Sequence, residues 1–341
     1  MISKELKIIF FFKCWLIISL LLVFSIIIVG GLTRLTDSGL SIIEWELFSG
    51  ILPPLSNKEW QLYFEKYQTI PQYKIINYDM SLSEFKIIYY WEYFHRLLAR
   101  LIGLFIIIPL IFFYFSNVIK KEYLKGGFLI FILITVQGFI GWYMVKSGLV
   151  NDITVSHYRL SIHLTIALVI ISVIFWLLKN VLNNQKKIFF KFSNKYLPYQ
   201  ILIILIFIQI IMGAFVSGLN AGLIYQTWPK MGESFFPDDI IFHNYMNLLD
   251  FNNHSLVQFY HRNLAYFIIV YAISLTFMIY KKKKKKLYNA IMILLFVILF
   301  QILLGILTLI SGVNIYLASS HQITGVLLIF SAINLYYLNA K

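Results

Sequence analysis

The sequence predicts an all-α integral membrane protein, in which eight transmembrane helices form two tandem four-helix bundles. Three observations predict this class: the composition, the length of the apolar segments and an internal repeat. Of the 341 residues, 60% are hydrophobic and 13% are charged, and the charged share is about half that of a typical soluble domain. The apolar segments run for about 18 to 25 residues, which is enough to cross a hydrocarbon core about 30 Å thick.

Eight such segments follow one another along the chain. We expect helices near 14–32, 88–115, 126–145, 156–178, 199–217, 256–280, 287–310 and 317–338. We interpret the first segment as a retained helix rather than a signal peptide, because no small-residue cleavage site follows it.

Lysines are concentrated on alternate connections between these segments. Eighteen of the 29 basic residues lie there, including the unbroken run from Lys281 to Lys286. The positive-inside rule makes that face cytoplasmic and places both termini inside. The net charge of +14 therefore reflects topology and gives no reason to expect nucleic acid. We expect a multi-pass protein of a bacterial plasma membrane, with a mitochondrial inner membrane as the alternative.

The two halves of the sequence align with each other, and the spacing shifts only in the loops. The aligned pairs, at offsets of 183, 166, 164 and 158 residues, are Gly30 with Gly213, Trp45 with Trp228, His95-Arg96 with His261-Arg262, Gln137 and Gly141 with Gln301 and Gly305, and His163 with His321. Residues 1–190 and 191–341 are thus predicted to be two four-helix units. An even number of helices gives both units the same orientation, so we expect a pseudo-twofold axis along the membrane normal.

Four histidines follow this repeat. They lie near the outer ends of the second, fourth, sixth and eighth predicted helices: His95, His163, His261 and His321. Ionisable residues inside a membrane are costly and usually functional. Neutral imidazole is a good iron ligand, and two facing helices of a bundle can hold a porphyrin between two histidines. We therefore predict a bis-histidine haem site in each half, the alternative being buried histidines that only hydrogen-bond their neighbours.

Charged residues accompany these histidines. Arg96 and Arg262 follow two of them directly, and Arg159 precedes His163 by one helical turn. They are candidates to bind the haem propionates, although such arginines can equally reach the lipid headgroups. His157, His243 and His254 have no partner in the repeat, and we expect them to be ordinary loop or helix-end residues.

The repeat breaks at Glu92, whose aligned residue is Gln258. Glu92 lies three residues before His95 on roughly the same helix face, where a carboxylate could act as a general base. The alternative is an ion pair with Arg96 four residues later. The difference suggests that the two halves divide the labour.

Seven segments of the chain resemble haem A synthases of the proteobacterial and mitochondrial type, in the order in which that family has them. They are GGLTRLTDSGLSIIEW with ILPP after it, EYFHRLLARLIG, QGFIGWYMVKSGL, VSHYRLSIHL, GAFVSGLNAGLIYQTWPKMG, FYHRNLAYF and ASSHQITGVLL. Some bacterial members carry a cysteine pair in the first outer loop. This chain has a single cysteine, Cys14, so a redox role for such a pair cannot apply here.

The resemblance implies an enzyme that oxidises the C8 methyl group of haem O to a formyl group by successive hydroxylations, giving haem A for cytochrome c oxidase. It implies that His261 and His321 ligate a resident haem b, that His95 and His163 hold the substrate haem, and that Glu92 is catalytic. Implied partners are a haem O synthase (protohaem farnesyltransferase), the cytochrome c oxidase assembly machinery, membrane lipid and an electron donor that the sequence does not identify.

Two other classes of protein compete with this interpretation. A dihaem b-type, quinol-linked electron-transfer protein would explain the histidines but not the difference between Glu92 and Gln258. A haem transporter would explain the duplication, but it would need a path to the cytoplasmic side, and the four histidines lie near the outer face.

Overall fold

The computed structural model describes residues 4–45, 49–149, 153–191, 193–240 and 248–340. Within these ranges the chain forms helices and connecting loops, without a β-strand. The helices are α1 (Lys4–Leu35), α2 (Asn57–Gln68), α3 (Pro71–Ile75), α4 (Leu82–Ser116), α5 (Lys121–Gly148), α6 (His157–Leu182), α7 (Leu197–Gly218), α8 (His254–Lys281), α9 (Tyr288–Ile310) and α10 (Ile315–Asn339).

Eight of the described helices are long and apolar enough to cross a membrane, namely all but α2 and α3. A helix satisfies its own backbone hydrogen bonds, which lipid cannot do. Large apolar side chains such as Phe10, Leu104 and Phe115 are more than half exposed, as expected where lipid rather than water surrounds the helices. The predicted all-α fold with eight membrane-spanning segments is confirmed.

The chain divides into two compact units, residues 1–182 and 183–341. In the first unit α1 packs on α4, α4 on α5, α5 on α6, and α6 returns to α1, which closes a four-helix bundle. In the second unit α7, α8, α9 and α10 close a bundle in the same cyclic order. The pseudo-twofold axis between them and the assignment of a different haem to each half stay predictions.

The first outer loop contains structure that the hydropathy pattern did not predict. It includes α2 and α3, and α4 begins at Leu82, six residues before the expected start. Ser56 and Ser81 each cap a helix: the Ser81 hydroxyl accepts from the Glu84 amide at 3.3 Å, and the Glu84 carboxylate accepts from the Ser81 amide at 2.8 Å. These reciprocal bonds form capping boxes, which fix where a helix begins.

An aromatic cluster holds α2 against the outer end of α4. Trp60, Phe64 and Tyr67 of α2 are buried against Phe85 and Tyr89 of α4. The rings of Trp60 and Tyr89 meet edge to face with their centroids 5.0 Å apart, a favourable arrangement for aromatic pairs. The outer end of α4, which leads to Glu92 and His95, is thereby fixed.

Candidate functional site: two histidine pairs

The four predicted ligand histidines form two pairs, one inside each bundle. His95 on α4 faces His163 on α6, with ring centroids 6.4 Å apart and ring planes at 87°. His261 on α8 faces His321 on α10, also at 6.4 Å, with planes at 77°. The structure thus brings together the histidines that the repeat singled out.

Each pair brings two imidazole rings together inside an apolar bundle, and neutral imidazole is a good ligand for iron and other metal ions. No group of three or more histidine, cysteine or carboxylate residues that could hold a metal ion occurs among the described residues. The iron of a haem is already held by its porphyrin, so a pair of histidines would suffice to complete its ligation, and these residues fit haem.

Each of the four histidines lies against a glycine of the preceding membrane-spanning helix. A Cβ atom added at that glycine would come within 3.2 Å or less of the imidazole ring, so any larger residue would displace the ring. Small residues allow this close approach of helices in a membrane. The pairs are Gly30 with His95, Gly141 with His163, Gly213 with His261, and Gly305 with His321.

Three of the histidines also contact a glutamine. The Gln137 amide nitrogen lies 3.2 Å from Nε2 of His163, and that of Gln209 lies 3.2 Å from Nδ1 of His261. The Gln301 side chain approaches Nε2 of His321 at 3.4 Å, and its backbone carbonyl lies 3.2 Å from Nδ1. These residues are therefore placed to orient the imidazole rings.

Arg96 fastens the first outer loop to α4. Its guanidinium donates to the carbonyls of Ile42 at 2.7 Å and Glu44 at 3.2 Å, and it stacks over Trp45. Its Nε and Nη2 atoms also donate to one oxygen of Glu92. All three guanidinium nitrogens are thus engaged within the chain.

Arg262 fastens the second outer loop in the same way. It donates to the carbonyls of Tyr225 at 2.8 Å, Thr227 at 2.9 Å and Lys230 at 3.2 Å. Tyr225 and Thr227 lie 183 residues after Ile42 and Glu44, so the repeat extends to the loop contacts. Nε of Arg262 and Nη1 of Arg159 are buried without a hydrogen-bond partner among the described residues, and both remain able to donate to an anion.

Glu92 is buried, with 2% of its surface exposed, and forms the predicted alternative ion pair with Arg96 at 2.5 Å. Its second oxygen accepts from the Ser41 hydroxyl at 2.7 Å and from the Ile42 amide at 2.8 Å. Gln258 instead donates to the Tyr225 carbonyl at 3.0 Å. Ile42 and Tyr225 are aligned by the repeat. Glu92 therefore accepts a hydrogen bond from its loop residue, whereas Gln258 donates one to the equivalent residue.

The second outer loop is tied to α8 through Asp239. The hydroxyls of Tyr225 and Ser255 both donate to this carboxylate at 2.7 Å. Burial raises the pKa of the Tyr225 hydroxyl, and the hydrogen bond to Asp239 adds to that shift. Tyr225 thus stays protonated and keeps its donor role.

The remaining histidines lie outside both pairs. His157 is the first residue of α6 and packs on the ring of Tyr158. His254 is the first residue of α8, and His243 lies outside the described residues. Sequence reasoning missed Gln209 and Ser41. Gln209 stands four residues before Gly213, as Gln137 does before Gly141, and that spacing could have revealed it.

Comparison with known proteins identifies the family. The sequence profile of the COX15-CtaA family, described as cytochrome oxidase assembly protein, matches residues 13–333. A protein named Heme A synthase from Pelagibacter ubique (strain HTCC1062) is 49% identical over 335 residues, which cover 97% of each chain. Proteins of the same name from Rickettsia felis (strain ATCC VR-1525 / URRWXCal2) and Rickettsia bellii (strain OSU 85-389) are 42% and 44% identical, covering 95% and 92% of this chain and 96% and 94% of theirs.

These bacterial relatives and the eight apolar helices indicate a multi-pass protein of the plasma membrane. The match extends over nearly the whole length of both chains, so it includes both bundles and both histidine pairs. The chain belongs to the COX15-CtaA family of cytochrome oxidase assembly proteins.

Proposed function

We propose that this chain is a haem A synthase, an oxidoreductase that converts the C8 methyl group of haem O to the formyl group of haem A for cytochrome oxidase. The observation that carries the proposal is the presence of two histidine pairs at the same 6.4 Å spacing in a chain similar to proteins named Heme A synthase over nearly its whole length. One pair can hold a resident haem while the other holds a substrate haem.

The second bundle would hold haem b through His261 and His321. Both rings are backed by a glycine and contacted by a glutamine, as suits a permanently bound group. Haem b would supply one-electron transfer. The part of the protein is to fix the two imidazoles and to exclude water by burying them among apolar helices.

The first bundle would hold haem O through His95 and His163. Glu92 supports this assignment, because it lies one helical turn before His95 and the aligned residue of the second bundle is the amide Gln258. Ser41, Ile42 and Arg96 fix both of its oxygens. We propose that Glu92 accepts protons released as the methyl group is oxidised, and that the loop contacts hold it in position to do so.

The arginines would bind the haem propionates at the outer side of each bundle. Arg262 and Arg159 are the better supported, because each retains a buried nitrogen without a hydrogen-bond partner among the described residues. Arg96 is already engaged with Glu92 and two carbonyls, so its contribution to propionate binding would require exchange of one of those bonds.

The proposed reaction places the chain after a haem O synthase, its proposed source of substrate, and before the assembly of cytochrome oxidase. The lysine distribution supports an orientation with both termini in the cytoplasm. Reporter fusions at each end would test it: phosphatase activity, which requires export, at either terminus would contradict the orientation.

The deciding experiment is to express the chain together with a haem O synthase in a bacterial host that lacks haem A, and to identify the extracted haems. We expect haem A, or its hydroxylated precursor, only when both proteins are present. Folded membrane-inserted protein and abundant haem O without either product would contradict the proposed function. The His95→Ala variant provides the matched control, which should contain haem b and no haem A.

A further inference from the structure

Three of the four helices that carry the glycines share a second feature, one helical turn before the glycine. In α5, α7 and α9 the residue four positions earlier is a glutamine, in the segments QGFIG, QIIMG and QILLG. In α1 the corresponding segment is IIIVG, which begins at Ile26. Residues four apart lie on the same helix face, so each glycine–histidine contact is flanked by the side chain at this position.

The glutamines hold their histidines by two kinds of contact. The amide nitrogens of Gln137 and Gln209 contact a ring nitrogen and also donate to the backbone carbonyl of the same histidine, at 3.1 Å for His163 and 2.9 Å for His261. One amide group thus contacts both the ring and the backbone carbonyl of each of these two histidines.

The glutamines also retain an acceptor. The Oε1 atoms of Gln137, Gln209 and Gln301 are buried without a hydrogen-bond partner among the described residues, and so is Nδ1 of His163. An amide can be rotated to exchange its oxygen and nitrogen. A histidine that ligates iron through one nitrogen donates the N–H of the other to an acceptor. With the amide exchanged, the oxygen of Gln137 or Gln209 would occupy the position that now lies 3.2 Å from a ring nitrogen.

His95 differs from the other three. No hydrogen bond to its ring or backbone carbonyl from a side chain is present among the described residues, because the residue at the glutamine position is Ile26, which has no polar atom. Its ring lies against Gly30, whose added Cβ would be 3.2 Å from Nε2, and faces the ring of His163.

We propose that Gln137, Gln209 and Gln301 are positioning residues that lock three of the four haem ligands, and that Ile26 leaves His95 as the one exchangeable ligand. This inference rests on the proposed function, in which both pairs bind haem. A resident haem held by two locked ligands would stay, whereas a substrate haem held by one locked and one unlocked ligand can leave after it has been oxidised. Ile26 therefore distinguishes the substrate site from the cofactor site.

The first test removes a lock. Gln209→Met keeps the length of the side chain and removes its hydrogen bonds. We expect haem b to leave the purified full-length protein about 10- to 100-fold faster, as found for changes to groups that orient metal ligands, with apomyoglobin as the haem acceptor. We also expect an altered low-spin ferric spectrum. Gln209→Glu, which retains an acceptor oxygen, should restore slow release. Release and spectrum as in the unaltered protein would overturn the proposal.

The second test adds the missing lock. Ile26→Gln should increase the amount of haem O and haem A that copurifies relative to haem b and slow its capture by apomyoglobin, while Ile26→Met should change neither. An unchanged ratio in Ile26→Gln would overturn the proposal even if Gln209→Met failed to fold.

The unaltered protein separates this inference from the proposed function. If it contains no haem, or makes no haem A when haem O is supplied, the proposed function fails. If it contains haem and makes haem A while the Gln209 and Ile26 variants behave normally, only the assignment of the locks fails.

Discussion

In the first bundle a carboxylate, Glu92, precedes the first histidine of the pair by three residues, whereas the aligned residue of the second bundle is the amide Gln258. The histidine pairs themselves have the same centroid spacing, and both outer loops are held by an arginine. The difference lies in the residues that surround otherwise equal pairs. Two copies of one fold can therefore perform different tasks through a few substitutions beside a shared ligand set.

The largest effect is expected when the first bundle is made to resemble the second. Glu92→Gln removes the proton acceptor and the ion pair with Arg96. We expect the yield of haem A to fall by about 10²- to 10⁴-fold, the usual contribution of a general acid–base group, while haem b stays bound. Haem extraction and chromatography would measure both. The reverse change, Gln258→Glu, should leave haem A production intact; if the two variants were equally inactive, the proposed division of labour would be wrong.

The next comparison is between the histidine pairs. His321→Ala should strongly lower the haem b content of the purified protein, because it removes a ligand. The loss of affinity should exceed the about 10- to 100-fold loss caused by changing a residue that only orients a ligand. His95→Ala should leave haem b in place. Absorption spectra of the reduced pyridine complex would quantify both. Loss of haem b from His95→Ala to the same extent would contradict the assignment of the two sites.

A smaller effect is expected at the glycines. In Gly213→Ala the new Cβ would lie 3.0 Å from Cε1 of His261, and the overpacking should cost about 1 to 3 kcal/mol. Gly103→Ala is the control, because its Cβ would meet nothing within 4 Å, so better helix propensity should make it neutral or stabilising by up to about 1 kcal/mol. Thermal unfolding in detergent would compare the two variants. Equal melting temperatures would show that position 213 does not require a glycine.

The smallest effect concerns the ends of α1 and α7. Asp37 and Asn220 are aligned by the repeat and both have positive φ, 50° and 53°. Asp37 also pairs with Arg34 at 2.7 Å, with about half of its side chain exposed. Asp37→Asn keeps a residue that tolerates the left-handed conformation and loses only a surface ion pair, so it should cost less than about 1 kcal/mol. A larger loss in thermal unfolding would show that this ion pair helps to hold the loop.

Much of the fold followed from hydropathy, because the length of an apolar segment determines whether it can span a membrane. The starts of α2 and α4 did not, because hydropathy says little about helices outside the membrane. Ser56 with Glu59 and Ser81 with Glu84 have the spacing of capping boxes and could have predicted them. The histidines of both pairs were predictable because ionisable residues stand out among apolar ones, whereas Gln209 is aligned by the repeat with the apolar Ile26, so no repeated polar pair marks it.

The role of Arg96 and Arg262 could not be predicted from the sequence for a different reason. A side chain that binds backbone carbonyls leaves no pattern in its partners, since every residue has a carbonyl. Only the structure shows that the two arginines bind equivalent loop residues, Ile42 and Glu44 in one half and Tyr225 and Thr227 in the other. Their binding of haem propionates stays a prediction.

The use of carbonyls has a consequence for how far the two halves can differ. An arginine that contacts only the main chain is indifferent to the side chains that the loop carries. Ile42 and Glu44 correspond to Tyr225 and Thr227 in the other half, and the attachment is the same in both. The two loops can therefore differ in sequence and in content, such as α2 and α3 in the first, while both are fastened to their bundles in one way.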